Sequence, residues 1–596
     1  MSKKGHGQIR RGQVIRTWGP GALLDLPRYA VVVGGLETWP RTGDLEEITE
    51  LRLTRKLQIM TGVDAPRLFA PPAATSDPRT NQGIGVWRFP EWFLVQGKSG
   101  DDDRDRSRRM VHRKALDDKG RFDKKPVVPT RFVRACPNGH VDDVDWYAFV
   151  HGSEDRCRRP LWLDERGTSG DLSDLIVRCE CGKQRALYEA TQRELKPLGI
   201  CSGARPWLGA HSREACNQPA RLLIRTASNA YFPQVLGVLS IPDRVSDAQR
   251  AVEEVWSDLQ VVDSATDLAV MKKKPGVASV LAPFDDDVIL AAIRELKQGA
   301  AGERPIKQVE LDALLAAPEG YADDVPIDPN FHARRLPETV WRKTAVSEPV
   351  EAVIQLHRLR EVLALTGFTR FEAVVPDMYG EYETDVTRAD LAAEPEWFPA
   401  VENRGEGVFV LLRSDAVAAW QKRKAVQTRL AQLEAGHQRW AKDRKNPRPF
   451  PGGPFVLLHT LSHLLIQSLA MRCGYPASSI RERIYADPEA GRFGILLYTG
   501  SPDAEGTLGG LVQQARHIEA HLAQALRAAA LCSNDPICAE HAPGGSLESR
   551  WLHGAACHGC ALVSEPSCEM RNDYLDRALV VPTLDTVDAA FFGRVG

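Results

Sequence analysis

The sequence lacks any uninterrupted apolar run near the ~18 residues that a membrane span requires. Its first residues, MSKKGHGQIRRGQVIRTWGPG, are basic but contain no apolar segment of the kind found in a secretory signal. We therefore expect a cytoplasmic protein without a membrane partner. Disulfides rarely persist in that compartment, so the twelve cysteines of the chain need another explanation.

Several catalytic signatures are also missing. No glycine-rich loop leads into the Gly-Lys-Ser/Thr of a Walker A motif, so the chain should not hydrolyse ATP by itself. The HExxH, GxSxG and protein-kinase signatures are absent as well. The net charge of −2 provides no global field that would attract nucleic acid. We expect no catalytic residues on this chain and no small-molecule substrate.

The cysteines are clustered along the chain. Six lie between Cys136 and Cys216, five lie between Cys532 and Cys568, and the 256 residues between Cys216 and Cys473 contain none. Short CxC and CxxC spacings in a reducing compartment favour metal binding over disulfides. We expect two or three Zn²⁺ ions per chain.

The C-terminal group contains Cys557 and Cys560 in a CxxC turn, which lets two thiolates contact one ion at tetrahedral angles. We expect Cys538, Cys557, Cys560 and Cys568 to form this site. Cys532 is the alternate ligand, because it lies at the end of a predicted helix. A redox CxxC is disfavoured, since no thioredoxin-like βαβ unit surrounds it. Buried thiols without a metal are the remaining alternative.

The first cysteine region contains Cys179 and Cys181 in a CxC turn followed by a glycine. This pattern resembles a zinc knuckle, in which the glycine relieves crowding behind the second thiolate. Cys201 and Cys216 follow at spacings that could complete a site of four thiolates.

A second knuckle-like turn lies upstream, where Cys136 precedes His140. His151 and Cys157 follow, and the four residues could close a site of two thiolates and two imidazoles. The alternative for both histidines is an ordinary polar or interface role.

His459 and His463 are four residues apart in LHTLSHLL, so they share one face of a predicted helix. This spacing suits zinc, but Thr460 stands where a metalloprotease helix has its glutamate base. We favour core or capping roles for the two histidines over a catalytic metal. A polar, ligand-facing role is the third alternative.

Basic residues are concentrated near the N-terminus. The first sixteen residues contain no acidic residue, and their cations could contact phosphates: Lys3, Lys4, Arg10, Arg11 and Arg16. A basic terminus without a ligand is the alternative. Residues 98–125 hold eleven Lys/Arg and seven Asp/Glu with few apolar residues. We expect a solvated loop there, with a flexible arm for phosphates or a partner as the alternative.

Apolar periodicity predicts a multidomain α/β protein with zinc-binding modules and a largely helical middle region. Residues 1–130 form an N-terminal region with β content and the charged loop 98–125. Residues 131–225 form the Cys/His region, and residues 226–450 are mainly helical, with helices over 348–367 and 414–443. Residues 451–596 form an α/β domain that carries the C-terminal cysteine site, with a helix over 454–474 and a strand over 491–503.

Five segments together resemble a known family: RRGQVIRTWGPGALLDLP, RFVRACPNGHVDD, LHTLSHLLI, SPDAEGTLGGL and LHGAACHGCALVSEPSCEMRNDYLDRALV. They are similar, in the same order, to the DrmB family, the helicase-associated subunits of the DISARM anti-phage defence system. The C-terminal part also resembles a zinc-binding domain that follows some DEAD-box-type helicases.

The resemblance implies a non-enzymatic partner of a DrmA-like superfamily 2 helicase, in a complex that engages phage DNA. It supplies no catalytic residues.

Two other functions stay open. A metal-dependent hydrolase or nuclease could use His459, His463 and the loop around Asp503, although no convincing set of metal-binding carboxylates is present. A free-standing DNA-binding zinc protein is the second, although the near-neutral charge argues against tight binding by the chain alone.

Overall fold

A computed structural model describes residues 9–26, 29–73, 83–96, 107–152, 155–166, 170–242, 248, 251–297, 304–321, 328–342, 344–382, 386–442, 444, 447–500, 510–543 and 550–594. The chain divides into two compact units. The first unit comprises Met1–Gly237, Leu363–Val375 and Tyr382–Glu402, and the second comprises Val238–Val362, Pro376–Glu381 and Asn403–Gly596. The expected Cys/His region 131–225 lies in the first unit, and the expected domain 451–596 lies in the second. The four-domain division itself stays a prediction.

Both helices and strands occur along the described chain. The helices are α1 (Arg11–Arg16), α2 (Leu51–Thr61), α3 (Trp146–His151), α4 (Trp256–Leu259), α5 (Ala265–Met271), α6 (Pro275–Leu281), α7 (Asp286–Lys297), α8 (Ile306–Leu315), α9 (Glu338–Trp341), α10 (Ser414–Gln421), α11 (Lys424–Ala441), α12 (Gly452–Cys473), α13 (Gly510–Gln514) and α14 (Ile518–Ala529).

The strands are β1 (Leu23–Asp25), β2 (Ala30–Val33), β3 (Arg67–Phe69), β4 (Val86–Arg88), β5 (Trp92–Val95), β6 (Ser107–His112), β7 (Val127–Pro129), β8 (Phe132–Ala135), β9 (Val141–Asp142), β10 (Leu161–Glu165), β11 (Leu175–Cys179), β12 (Gln184–Ala186), β13 (Arg221–Ile224), β14 (Phe232–Leu239), β15 (Phe331–Arg335), β16 (Val350–Thr369), β17 (Trp397–Leu412), β18 (Ile480–Asp487) and β19 (Arg492–Thr499). This mixture confirms the predicted α/β multidomain class.

The first unit contains a six-stranded sheet in the order β12-β11-β10-β6-β5-β7, and two three-stranded sheets, β1-β2-β4 and β13-β8-β9. Trp146 and Phe149 of α3 share one buried core with Leu161 and Val177 of the larger sheet. The Asp145 carboxylate accepts the backbone N–H of the third helical residue and so fixes the start of α3. The anchored helix places its last residue beside the end of β11.

The prediction of a solvated loop over residues 98–125 is wrong for Ser107–His112. This segment forms β6, which lies between β10 and β5 in the six-stranded sheet. Ser107 donates its hydroxyl hydrogen to Asp164 of β10, with 2.6 Å between the oxygens. Met110 and Val111 are buried, so the strand contributes apolar side chains to the sheet core. The high density of charge around these residues obscured their strand pattern. Residues 97–106 lie outside the described chain.

The second unit contains antiparallel strands that pack against a buried helix. β18 and β19 form a hairpin with a register that runs from Ile480 opposite Thr499 to Asp487 opposite Arg492. β19 pairs with β17, and β15 pairs with β16. Helix α12 packs against β18 and β19, and it is apolar and buried on all sides over most of its length. An all-round apolar helix of this kind is typical of a protein core.

Helix α12 is also long and apolar enough, by length and composition alone, to cross a membrane. Its most apolar window is 83% buried inside the protein. The core helix of a globular protein passes the same test, and burial to this extent identifies α12 as such a helix.

The prediction of a largely helical region 226–450 is wrong for β14, β15, β16 and β17. The predicted helix 348–367 is the 20-residue strand β16. Nearly every residue of β16 is buried, so both of its faces pack against the protein, and such a run has no strand alternation to detect. Helices α10, α11 and α12 and strand β19 occur where the sequence predicts them.

Two charged residues of β16, Arg360 and Glu361, are buried, and the structure gives them polar partners. Glu361 accepts hydrogen bonds from the Tyr498 hydroxyl at 2.7 Å and from Asn403 Nδ2 at 2.9 Å, and it forms an ion pair with Arg481. These contacts join β16 to β17, β18 and β19. A single carboxylate therefore connects four strands of the second unit.

Replacing Glu361 with glutamine should destabilise the second unit by about 3 kcal/mol, because the buried Arg481 guanidinium loses its counter-charge. The measurement is the change in thermal or urea unfolding monitored by tryptophan fluorescence.

Asp415→Asn provides the matched control. Asp415 pairs with Arg413 at 2.5 Å in the same unit, but 67% of its side chain is exposed. Loss of an exposed pair should cost about 0.5 kcal/mol or less. Equal effects of the two substitutions would contradict the role assigned to Glu361.

Candidate metal centres

Eleven of the twelve cysteines lie, with four histidines and one glutamate, in four groups of potential metal ligands. Within each group the ligand atoms are all within 4.8 Å of one another. Cluster 1 is Cys136, His140, Cys201 and Cys216; cluster 2 is His151, Cys157, Cys179 and Cys181; cluster 3 is Cys532, Cys538, Cys557 and Cys560; and cluster 4 is His459, His463, Glu482 and Cys568. Clusters 1 and 2 belong to the first unit, and clusters 3 and 4 belong to the second.

Cluster 1 is built on the turn between β8 and β9, which holds Cys136 and His140. The Cys136 Sγ lies 3.3 Å from His140 Nδ1 and 3.9 Å from Cys216 Sγ. The other ring nitrogen of His140, Nε2, lies 2.5 Å from a Glu214 carboxylate oxygen. A carboxylate in this position orients a histidine whose opposite nitrogen is a metal ligand.

The polar contacts within cluster 1 shift the pKa values of three of its side chains. The hydrogen bond from Cys136 lowers the pKa of Cys201 to about 4; burial opposes this, and His140 reinforces it. The same contact, together with burial, raises the pKa of Cys136. Burial lowers the pKa of His140, but hydrogen bonds with Cys201 and Glu214 outweigh it, so the net shift is upward. The contacts with Cys136 and His140 thus favour the thiolate form of Cys201.

Cluster 2 lies where the end of α3 meets the turn after β11. His151 Nε2 is 3.3 Å from Cys181 Sγ, and its Nδ1 is 3.0 Å from the Tyr147 carbonyl oxygen, which fixes the tautomer. The Sγ atoms of Cys157 and Cys179 are 3.7 Å apart.

Two local features shape this turn. Gly182 has φ of 96°, as expected for the glycine of a zinc knuckle. A backbone N–H bond from Lys183 and the contact with His151 lower the pKa of Cys181 to about 6.

Cluster 3 contains four cysteines. The Sγ–Sγ distances are 3.4 Å between Cys532 and Cys557, 3.7 Å between Cys538 and Cys560, and 3.7 Å between Cys557 and Cys560. The contact with Cys560 lowers the pKa of Cys538 to about 5; burial opposes the shift, while Cys557 and the cation of Arg577 support it. The buried Arg577 offsets part of the negative charge that four thiolates would carry.

The distances in clusters 1 to 3 fit tetrahedral zinc. A Zn–S bond of about 2.3 Å places two thiolates of one tetrahedron about 3.8 Å apart, whereas a disulfide requires about 2.05 Å. The observed separations of 3.4–3.9 Å agree with the tetrahedral value. Three thiolates with one imidazole, or four thiolates, are the donor sets of structural zinc sites, and they leave no open position.

The structure corrects the expected division of ligands in the first unit. We expected Cys179 and Cys181 to join Cys201 and Cys216, and Cys136 and His140 to join His151 and Cys157. The chain instead nests one group inside the other, so that the outer turn Cys136–His140 meets Cys201 and Cys216. The sequence-based prediction placed neighbouring ligands in the same site. It was wrong because the order of ligands along the chain does not reveal that one group is nested inside the other.

The C-terminal assignment is corrected in the same way. Cys532, expected as the alternate, replaces Cys568 beside Cys538, Cys557 and Cys560. The Asp535 carboxylate accepts the backbone N–H of Cys532 and turns the chain back after α14. Cys568 instead lies against His459 and the carboxylate of Glu482. Glu482 was missed, because one carboxylate on a buried strand has no spacing signal. Metal ligation by each individual residue stays a prediction.

The residues expected to contact nucleic acid are only partly described. Lys3, Lys4 and Asp503 lie outside the described residues. Arg10 is exposed, whereas Arg11 forms an ion pair with Glu46 at 2.6 Å and Arg16 is half-buried. A role in phosphate contact stays a prediction for all five basic residues.

Comparisons with known proteins support the zinc chemistry. Residues 461–561, which include all of cluster 3, match the family described as MrfA Zn-binding domain. Residues 10–232, which include clusters 1 and 2, match the family described as Domain of unknown function (DUF8724). The "DISARM protein DrmB" of Bacillus paralicheniformis is 31% identical over 487 residues, a match that covers 78% of this chain and 82% of that relative.

The cysteine-rich donor sets and the matched zinc-binding domain together define a zinc-binding protein. The extent of the similarity then identifies the family: this chain belongs to the DrmB family of DISARM proteins.

Replacing Glu214 with alanine should weaken zinc binding at cluster 1 by about 10–100-fold, because His140 loses the carboxylate that orients it. Competition with a chromogenic chelator measures the affinity of the most weakly held ion. Glu394→Ala, at an exposed glutamate of the same unit, is the control. An unchanged affinity in the Glu214 variant would show that His140 is not a ligand.

Replacing Cys557 with serine should reduce the yield of soluble protein, since binding at cluster 3 contributes to folding. Cys473→Ser is the matched control, because Cys473 is half-buried and lies outside all four clusters. Soluble yield and zinc content per chain are measured for both variants. Normal yield with full metal content in Cys557→Ser would count against a zinc ion at cluster 3.

Proposed function

We propose that this chain is a non-enzymatic zinc-binding subunit of a DISARM-type anti-phage defence complex, in which it docks on a DrmA-like superfamily 2 helicase and assists DNA engagement. Membership of the DrmB family supports the defence role. The absence of a Walker A motif from the sequence supports placing the ATPase on another subunit. The complex acts in the cytoplasm.

The proposal that zinc has a structural role depends on the donor sets of clusters 1 to 3. Each set supplies four protein ligands, so a bound ion would have no position left for water or substrate. Zinc would supply cross-links between loop segments and free energy for folding. The side chains of Glu214 and Arg577 would orient a ligand and offset thiolate charge. We propose one zinc ion at each of these three clusters.

The hydrolase or nuclease alternative has less support. His459 and His463 are fully buried in α12, and their side chains have no solvent-exposed surface. A nuclease needs its metal at a position that a phosphodiester can reach. The burial of these histidines therefore favours a structural role over chemistry on nucleic acid.

DNA engagement is proposed for the complex rather than for the isolated chain. Its net charge is −2, and Arg11 already has a carboxylate partner in Glu46. Only cations that are free to neutralise phosphates contribute to salt-dependent affinity. The isolated chain should therefore bind duplex DNA weakly.

The test is co-expression of this chain with a DrmA-like superfamily 2 helicase of the same defence system. We expect the two proteins to copurify, ATPase activity only in preparations that contain the helicase, and tighter duplex binding by the complex than by this chain. ATPase assays and DNA titrations at several salt concentrations measure these properties.

Two controls sharpen the result. A helicase with its Walker A lysine replaced by alanine should lose ATPase activity and keep the association. ATP hydrolysis by the isolated chain at a helicase-like rate, or failure of the two proteins to associate, would reject the proposed function. Tight, steeply salt-dependent binding by the chain alone would favour a free-standing DNA-binding protein.

A further inference from the structure

Cluster 4 is separate from the three cysteine-rich clusters and lies in the core of the second unit. His459 and His463 are one turn apart on α12, Glu482 lies on β18, and Cys568 follows the last cysteine of cluster 3. The side chains of the two histidines and of Glu482 have no exposed surface, and Cys568 is only 7% exposed.

The four side chains converge on one point. His459 Nε2 lies 3.1 Å from Cys568 Sγ and 3.0 Å from Glu482 Oε1. His463 Nε2 lies 3.3 Å from the same carboxylate oxygen. Tetrahedral zinc with ordinary bond lengths would place nitrogen and oxygen ligands about 3.3 Å apart and nitrogen and sulfur ligands about 3.6 Å apart. The His463–Glu482 distance matches its value, whereas His459 Nε2 lies about 0.3 Å nearer to Glu482 and about 0.5 Å nearer to Cys568 than these values, so a bound ion requires a small withdrawal of the His459 ring.

The surrounding hydrogen bonds leave lone pairs on the inward-facing atoms: Glu482 Oε1 accepts the Glu569 N–H at 3.2 Å and, as a carboxylate oxygen, keeps a second lone pair for a cation. His463 Nδ1 faces the Ala561 carbonyl oxygen at 2.8 Å, so that nitrogen carries the hydrogen. With the hydrogen on Nδ1, Nε2 of His463 can direct its lone pair at a cation placed between it and Glu482 Oε1, which lies 3.3 Å away.

Cys568 has the hydrogen-bond pattern of the cysteines in the other clusters. Its Sγ accepts the backbone N–H of Met570, two residues ahead, at 3.3 Å. The same contact occurs from Gly203 to Cys201 in cluster 1, and from Asn534 to Cys532 and Gly559 to Cys557 in cluster 3. Cys568 also accepts the N–H of Asn572 at 3.1 Å. Backbone donors of this kind stabilise a thiolate.

Charge balance also fits a divalent ion. One carboxylate and one thiolate carry two negative charges, which a divalent cation neutralises. A neutral site is the least costly arrangement for charged groups that are fully buried. The mixed nitrogen, oxygen and sulfur donors, four in number, match the ligand preferences of Zn²⁺.

The order of the ligands along the chain repeats in the two units. Cluster 1 begins before cluster 2 and ends after it, and cluster 4 encloses cluster 3 in the same way. Two of the cluster 4 residues, His459 and Cys568, lie outside the matched zinc-binding segment 461–561. Cluster 4 is therefore not contained in the segment that matches the MrfA Zn-binding domain.

We propose that cluster 4 binds a zinc ion in addition to those of clusters 1 to 3, closed by four protein ligands, and that this ion fastens the C-terminal segment to α12 and β18. The proposal does not depend on the helicase or on DNA.

The test uses the full chain, purified without a polyhistidine tag and washed with a mild chelator. Elemental analysis by inductively coupled plasma mass spectrometry should give four zinc ions per chain. Glu482→Gln, which keeps the shape of the side chain, should reduce the number to three. Glu406→Gln is the matched control, since Glu406 is a buried carboxylate of the same unit that accepts the Leu511 N–H at 2.9 Å and belongs to no cluster. It should retain four ions.

A crystal of the native protein measured at the zinc absorption edge gives the position of each ion. An anomalous peak between His459, His463, Glu482 and Cys568 supports the proposal even if Glu482→Gln fails to fold. Native protein with zinc at clusters 1 to 3 and no peak at cluster 4 overturns it. Four ions in folded Glu482→Gln, or a metal other than zinc at cluster 4, overturns it as well. Absence of peaks at clusters 1 to 3 would instead contradict the zinc sites of the proposed function.

Discussion

The mutual repulsion of closely packed thiolates is the constraint on which the loop-rich parts of this protein depend. In cluster 3, four sulfur atoms lie 3.4–3.7 Å from their neighbours, and the cysteines themselves make up most of the local buried core, with Ala556, Ala561 and Leu575. A divalent cation converts that repulsion into four bonds. The segment has few other apolar side chains to hold it together, so ligation and folding are the same event there.

Several parts of the fold could be predicted from the sequence. The clustering of cysteines located both metal-binding regions, because CxC and CxxC turns are local features that sequence spacing records directly. Helix α12 and strand β19 were predicted for a similar reason: each is a long apolar segment bounded by Gly or Pro. The i,i+4 spacing of His459 and His463 also suggested zinc, although core roles were favoured for both.

Other parts depend on contacts between distant residues. Strand β16 was predicted as a helix, since burial of both faces removes the alternation of polar and apolar residues. The partners of Glu361 lie on strands more than 40 residues away, so sequence spacing gives no sign that this carboxylate is buried and paired. The prediction of which ligands share a cluster was wrong for the same reason. Nesting pairs Cys136 with Cys216, and Cys568 with His459, across intervening ligands.

Nesting also sets an order for biosynthesis. All four donors of cluster 2 are translated before Cys201 and Cys216 exist, and all four donors of cluster 3 are translated before Cys568. The enclosed group closes the shorter loop, at the smaller entropic cost, and thereby shortens the effective loop that the outer group must close. Each unit of the protein can thus be assembled from the inside outward: a nascent chain that stops before Cys201 already contains all four ligands of cluster 2, and one that stops before Cys568 already contains all four ligands of cluster 3.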